Sequence, residues 1–139
     1  VHVTVIVNDG ARIVTTPVLG FRQLMADPAD DQLDDVTVGQ RFRTLGRTIT
    51  EADITLFVSV TGMVEEMFTN MEYIKAESKI GSRPVPGSMV FCISEGLLMQ
   101  STMQRTGMAF LECDLRILKP TTAGDTIHVQ AEVVEAKPL

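Results

Sequence analysis

One stretch, Arg83 to Arg105 (RPVPGSMVFCISEGLLMQSTMQR), constrains the fold more than any other part of the sequence. Pro84, Pro86 and Gly87 interrupt regular structure, and Ser88 follows as a residue that commonly caps the amino end of a helix. Apolar residues then recur at helical spacing: Met89, Val90, Ile93, Leu97, Leu98 and Met103. Because most faces of this helix carry apolar or small side chains, we expect other parts of the chain to wrap it. In a chain otherwise rich in strand patterns, this predicts a sheet curved around one buried helix.

The same stretch is not expected to cross a membrane. A span needs about 20 predominantly apolar residues, and Glu95, Gln100 and Gln104 interrupt this one. The methionines of the stretch are expected to fill a core rather than to form an adaptable docking surface.

Length and composition predict one ordinary globular domain over residues 1–139. The chain is 45% hydrophobic and 22% charged, which is typical of such domains. A net charge of −6 argues against non-specific nucleic-acid binding, which needs a basic surface. Cys92 and Cys113 are expected to be reduced core residues of a cytoplasmic protein, and neither a signal peptide nor metal-ligand spacing is recognisable.

The first part of the chain predicts a hairpin followed by a linker. In residues 1–18, Val1, Val3, Val5 and Val7 alternate with other residues before Asn8-Asp9-Gly10, a favourable turn sequence, and Arg12 to Val18 is rich in β-branched residues. Residues 19–36 are acidic, contain proline and have no regular pattern. We interpret them as a linker, and the acidic run as solvated rather than as a metal site.

The middle of the chain begins with a strand that runs from Val38-Gly39-Gln40 towards Thr48. Thr50 and Asp53 have the spacing of a capping box, so a helix is expected there, with Ile54, Phe57 and Val58 on its buried stripe. Thr61-Gly62 is a typical helix end.

Residues 63–69 are then expected to form a loop. Asn70 follows as the cap of a second short helix, which runs to about Ser78.

Two strands are predicted after the long helix. The first places four residues on one face: Leu111, Cys113, Leu115 and Ile117. A turn at Ala123-Gly124-Asp125 leads to the second, which places four residues inward: Ile127, Val129, Ala131 and Val133. His128 lies on the opposite face of that strand, and His2 lies opposite the valines of the hairpin, so both are expected to have structural or solvated roles.

The order of these patterns resembles the MaoC-like hydratases and dehydratases of the hotdog superfamily. The resemblance covers about residues 36–137 and is carried by Thr48 to Phe57, Pro86-Gly87, Lys119-Pro120 and Gly124-Asp125. It implies an α+β hotdog fold, in which a curved antiparallel sheet wraps one long helix. It also implies 2-enoyl thioesters as substrates, with coenzyme A or phosphopantetheine as part of the substrate and no separate cofactor.

The order differs from the family at the chain ends. In the family, two further strands follow a segment like Val133 to Pro138, whereas here a hairpin of that kind stands at residues 1–18. We expect this hairpin to complete the sheet, in a permuted arrangement or as a segment of a tandem protein. An unrelated hairpin is the alternative.

The family's catalytic stretch reads T-G-D-x-N-P-x-H-x-D, in which the Asp and the His are the acid–base pair. Aligned on Thr61-Gly62, this chain has Met63 in place of the Asp and Phe68 in place of the His. Neither side chain transfers a proton at neutral pH. Glu65 stands at the Asn position and Asn70 at the second Asp position. The resemblance therefore implies that the framework of the family's site is retained and that its acid–base pair is missing.

Other residues are candidates for the missing roles. Glu65 or Glu66 would act as a relocated acid–base residue if an apolar pocket raised its pKa; exposed loop glutamates are the alternative. The backbone N–H of Gly87, at the amino end of the long helix, is the candidate donor to the thioester oxygen.

Ligand binding is expected to survive better than catalysis. Lys75, Lys79 and Arg83 lie close in sequence and are candidates to contact the phosphates of the carrier, with solvated surface charge as the alternative. Met63, Met67 and Phe68 would line an apolar acyl site, beside Asn70.

The first functional hypothesis is a MaoC-like hydratase or dehydratase with a degenerate motif. The alternatives are a non-catalytic thioester-binding or structural subunit and a hotdog thioesterase. A single sheet of this kind has open edges, so a homodimer or a multiple of one is expected, without nucleic-acid or membrane partners.

Overall fold

The computed structural model describes residues 2–7, 11–16, 37–101 and 112–135, with side chains described for 37–101 and 115–135. In chain order the described elements are β1 (His2–Val7), β2 (Ala11–Thr16), β3 (Arg41–Arg43), β4 (Arg47–Thr48), α1 (Glu51–Thr61), α2 (Glu66–Thr69), α3 (Met71–Glu77), α4 (Gly87–Ser101), β5 (Glu112–Ile117), β6 (Thr126–Ile127) and β7 (Val129–Glu135).

The main sheet has five strands in the order β3-β7-β1-β2-β5, and β4 pairs with β6 in a separate two-stranded sheet. Every strand pair is antiparallel. The long helix α4 contacts β7, and its buried residues share one core with residues of α1 and β7. The predicted α+β architecture, an antiparallel sheet with one long helix against it, is confirmed.

The amino-terminal hairpin lies inside this sheet. Strand β1 pairs with β7 along its length, and β2 pairs with β5, so the hairpin supplies two inner strands. The predicted turn at 8–10 and the predicted linker at 19–36 lie outside the described residues. The proposed limits of the domain and of the linker stay predictions.

Helix α4 begins two residues earlier than predicted. The amides of Met89 and Val90 both donate to the carbonyl of Pro86, at 2.9 and 3.2 Å, so Pro86 is the cap and Ser88 already lies within the first turn. Proline is tolerated there because it lacks an N–H, and a residue before the first turn has no partner for one inside the helix. The assignment of Ser88 as the cap was wrong.

The wrapping of α4 is incomplete. One side of the helix is buried: Met89, Val90, Ile93, Ser94, Leu97 and Leu98. A second side stays exposed in the described structure: Ser88, Cys92, Glu95, Met99 and Gln100. The expectation of a core position is therefore wrong for Cys92, whose thiol is free, and the side chain of Cys113 lies outside the described part. Among the described helices, none combines the length and apolarity that a bilayer crossing requires.

The predicted capping box of α1 is confirmed. The Thr50 hydroxyl accepts a hydrogen bond from the Asp53 amide at 3.2 Å, and the Asp53 carboxylate accepts one from the Thr50 amide at 2.8 Å. Arg47 adds a contact to the same carboxylate at 2.8 Å. At the other end, Gly62 ends the helix with φ of 70°, a left-handed conformation that glycine adopts readily.

These contacts predict a pH dependence of stability. The hydrogen bonds from Thr50, with Arg47 nearby, hold the pKa of Asp53 below its usual 3.8. A lowered folded-state pKa stabilises the fold at pH values above the unfolded-state pKa, and this contribution is lost as the pH falls through the folded-state pKa.

We expect Asp53→Asn to lower Tm at neutral pH, and the difference in Tm between variant and wild type to close below about pH 4. Glu72→Gln, which breaks only an exposed pair, is the control and should change Tm little. A Tm difference that persists at low pH would contradict the assignment.

The strand predicted from residue 38 to residue 48 is interrupted. Residues 38 and 39 form a turn, and β3 ends at Arg43. At Thr44 the backbone amide still donates to the Val129 carbonyl at 2.9 Å, but the Thr44 hydroxyl accepts the return hydrogen bond from the Val129 amide, also at 2.9 Å. Leu45 is exposed, so the chain leaves the main sheet here and continues as β4 in the small one.

The two strand patterns after α4 have different outcomes. In the second, the predicted inward residues are buried as expected: Ile127, Val129, Ala131 and Val133. In the first, Leu115 is half-buried, and Ile117 is 51% exposed at the end of β5, an outer strand of the sheet.

Candidate functional site

The segment after α1 is more ordered than predicted, because residues 66–69 form the short helix α2 instead of a loop. Glu65 caps it: its carboxylate accepts a hydrogen bond from the Met67 amide at 3.2 Å. Glu66 lies in the first turn, and its carboxylate accepts from the Asn70 side-chain amide at 3.2 Å. Both glutamates are exposed. The expectation that either carboxylate lies in an apolar pocket is therefore wrong, while a catalytic role for one of them stays a prediction.

Met63 reaches the amino end of α4. Its sulfur lies 3.8 Å from the Ser88 hydroxyl, and the side chain is partly exposed. Residue 63, which the resemblance aligns with the family's catalytic Asp, thus lies beside the first turn of the long helix. This proximity could not be derived from the sequence, since the two residues are 25 positions apart.

Phe68 is half-buried and packs against the main core. Its backbone carbonyl accepts a hydrogen bond from Nε of Arg83 at 2.7 Å. Met67, next to it, is also half-buried. Residue 68 is aligned by the resemblance with the family's catalytic His, and its backbone is fixed by a contact to the segment that precedes α4.

Gly87 fits closely under the end of β5. A Cβ at this position would overlap Cδ1 of Ile117, so a larger residue would require Ile117 to move. Within the described residues, the Gly87 and Ser88 amides donate to no acceptor. They are among the first amides of α4, which have no partner inside the helix, and a helix start of this kind favours negative charge.

The three predicted cations differ in their surroundings. Lys75 pairs with Glu72 at 3.0 Å on the surface of α3, and Lys79 is exposed just beyond that helix. Arg83 is only 13% exposed and pairs with Glu51 at 2.7 Å.

Asn70 caps α3, as predicted, because its side-chain oxygen accepts hydrogen bonds from the amides of Glu72 and Tyr73 at 3.1 Å each. The structure therefore assigns Asn70 and Arg83 local hydrogen-bonding roles, and their predicted contacts with a ligand stay predictions.

An apolar groove of about 400 Å³ lies between α1 and α4, and it was not predicted. Its lining residues are Arg47, Asp53, Leu56, Phe57, Val60, Met89, Cys92, Ile93, Gly96, Leu97 and Gln100. The set does not include Met63, Met67 or Phe68, which were expected to line the acyl site. Two exposed residues of α1, Leu56 and Val60, are the signal in the sequence that could have indicated this surface.

The part of the chain that the structure describes contains no cluster of three or more His, Cys, Asp or Glu side chains able to hold a metal ion.

Comparison with known proteins shows the family of the chain. No family model matches the chain. Protein MaoC of Klebsiella aerogenes is 30% identical over 104 residues, which are 74% of this chain and 30% of that protein. The chain thus spans less than a third of the length of this curated relative.

Two solved structures have the same fold. The monoamine oxidase regulatory protein from Archaeoglobus fulgidus is 31% identical with a TM-score of 0.63, and the match covers 72% of this chain and 68% of that one. The MaoC-like dehydratase from Rhodospirillum rubrum is 25% identical with a TM-score of 0.68, over 77% of this chain and 73% of that one. The predicted hotdog fold and the predicted family are confirmed: this chain belongs to the MaoC-like family of hotdog proteins.

Proposed function

We propose that this chain binds 2-enoyl thioesters of coenzyme A or of a carrier-protein phosphopantetheine, as a MaoC-like hydratase or dehydratase with a degenerate catalytic motif. Binding is kept in this proposal, and the intrinsic hydration rate is strongly reduced. The observation that carries it is the approach of Met63 to Ser88, since it brings residue 63, which the resemblance aligns with the family's catalytic Asp, to the amino end of α4.

The chemistry at that end favours a thioester. The carbonyl oxygen of a thioester gains negative charge as an enolate develops, and backbone donors directed at it stabilise that charge. The amides of Gly87 and Ser88, with the positive end of the α4 dipole, are such donors. The exposed ammonium groups of Lys75 and Lys79 are proposed to meet the phosphates of the carrier.

The proton-transfer pair is the part that is reduced. Hydration needs a base for the water and an acid for the α-carbon, and each typically contributes about 10²–10⁴ in rate. Met63 and Phe68 supply neither. The two nearby carboxylates are exposed: Glu65 caps α2, and Glu66 accepts a hydrogen bond from the Asn70 side chain. This arrangement favours binding over turnover.

An assay of crotonyl-CoA tests the proposal. We expect saturable binding of crotonyl-CoA by calorimetry, with hydration at or near the uncatalysed rate, and we expect Glu65→Gln and Glu66→Gln to keep the affinity. Loss of measurable hydration by about 10²-fold or more in one Gln variant would instead identify a relocated acid–base residue. Hydrolysis of the thioester, measured through the free thiol that it releases, would support the thioesterase alternative. Absence of binding would refute the proposal.

A second prediction concerns assembly. Strands β3 and β5 are the outer strands of the described sheet, and the open side of α4 adjoins the exposed Leu56 and Val60 of α1. Covering such surfaces is a common reason for association. We expect a homodimer, or a multiple of one, in sedimentation at micromolar concentration. A monomer across the accessible concentration range would contradict this.

A further inference from the structure

The side chain of Arg83 joins parts of the chain that are far apart in sequence. Its Nε donates to the Phe68 carbonyl at 2.7 Å, and its Nη1 donates to the Glu51 carboxylate at 2.7 Å and to the Thr55 hydroxyl at 3.1 Å. The side chain is 13% exposed. One guanidinium therefore ties the first two turns of α1 to the end of α2.

The backbone that carries this side chain is itself fixed. The Arg83 carbonyl accepts from the Ala123 amide at 3.1 Å, and the Val85 amide donates to the Thr121 carbonyl at 2.8 Å. Pro84 between them bridges to Thr122. The chain then continues directly to α4, which begins at Gly87. Arg83 thus connects residue 68 to the segment that sets the amino end of α4.

We propose that Arg83 is the positioning residue of the candidate site, and that its guanidinium holds residue 68 in place relative to the amino end of α4. The guanidinium does not serve as a phosphate ligand in this role. The inference deepens the proposed function, on which its ligand-binding part rests.

The geometry explains why an arginine is needed. Phe68 belongs to a helix of one turn, whose last carbonyls have no partner inside the helix. A planar guanidinium satisfies one of these carbonyls with one nitrogen while another nitrogen pairs with Glu51, because its donors form a rigid fork. A lysine ammonium is a compact charge and does not span both acceptors in the same way. Since two of its nitrogens are already engaged, Arg83 is also a poorer phosphate ligand than the exposed Lys75 and Lys79.

The first test is amide hydrogen exchange, which does not depend on any ligand. The amides of Phe68 and Asn70 donate to backbone carbonyls at the start of α2, at 2.9 Å each. The Val133 amide reports on the main sheet. We expect Arg83→Gln and Arg83→Lys to lower the protection of Phe68 and Asn70 by about tenfold, with Val133 little changed. Arg41→Gln, which breaks an exposed pair at the far edge of the sheet, is the matched control. Equal losses at all three amides, or no loss at Phe68 and Asn70, would overturn the proposal.

Glu51→Gln provides a second variant in case Arg83 variants fold poorly. The Glu51 carboxylate is 60% exposed, so its replacement should leave the fold intact while weakening the hold on Arg83. We expect a smaller loss of protection at Phe68 and Asn70, of about threefold. Unchanged protection there would overturn the proposal even if the Arg83 variants could not be purified.

The second test compares two probes, coenzyme A alone and crotonyl-CoA, by calorimetry. A positioning role predicts that Arg83→Gln leaves the affinity for coenzyme A unchanged. The affinity for crotonyl-CoA should fall until it equals the affinity for coenzyme A alone. Equal losses for both probes would identify Arg83 as a phosphate ligand and refute its positioning role. If the wild type binds neither probe, the proposed function fails, and hydrogen exchange still decides the role of Arg83.

Discussion

The double variant Met63→Asp, Phe68→His is expected to gain enoyl-thioester hydration by about 10²-fold or more over the wild type. The reason is that the change restores both members of an acid–base pair, each of which typically contributes about 10²–10⁴ in rate. The structure favours this result at both positions. Met63 already contacts Ser88 at the start of α4, and the backbone of Phe68 is held by Arg83. The measurement is the initial rate of crotonyl-CoA hydration, monitored through the loss of the enoyl absorbance.

The stability costs of the two changes differ. Met63 is 37% exposed, so a carboxylate there remains largely solvated. Phe68 packs against the core, and its replacement by the smaller His is expected to cost about 1–3 kcal/mol. Val64→Asp with Thr69→His, which moves the same side chains one residue along the segment, is the matched control and should show no gain. If the double variant folds and binds crotonyl-CoA but hydrates it no faster than the control, the hydratase framework is not intact.

Deletion of residues 1–18 is expected to abolish the cooperative fold. Strands β1 and β2 lie between β7 and β5, so the deletion leaves both of these strands without a partner on their inner edges. The loss should exceed the net stability of a domain, which is about 5–15 kcal/mol. Thermal unfolding followed by circular dichroism should show no transition.

The matched control restores the hairpin in trans. A synthetic peptide of residues 1–18, added to the deleted protein, should recover part of the transition if the strands act by completing the sheet. A deleted protein whose Tm stays within a few degrees of the wild type would show that the hairpin is an appendage.

Local patterns in the sequence predicted the elements whose causes are local. Thr50 and Asp53 cap α1 as expected because a capping box needs only residues three apart. Asn70 caps α3 for the same kind of reason. The alternation of β7 predicted its buried face because one side of that strand meets a single core.

The errors arose where distant parts of the chain decide the outcome. The break after Arg43 depends on the Thr44 hydroxyl and the Val129 amide, which are 85 positions apart. The contacts of Arg83 involve Glu51, 32 positions away, and its basic neighbours in sequence did not indicate them. The open side of α4 could not be predicted either, because periodicity shows how apolar a face is but not which element covers it.

The most direct test of the central claim is a titration of isotopically labelled protein with crotonyl-CoA, followed through the backbone amide signals of Gly87 and Ser88. If thioesters bind at the amino end of α4, these two signals should shift and saturate with crotonyl-CoA, and should move little with coenzyme A alone. Shifts confined to the groove between α1 and α4, around Cys92 and Gly96, or no shifts at saturating ligand, would contradict the claim.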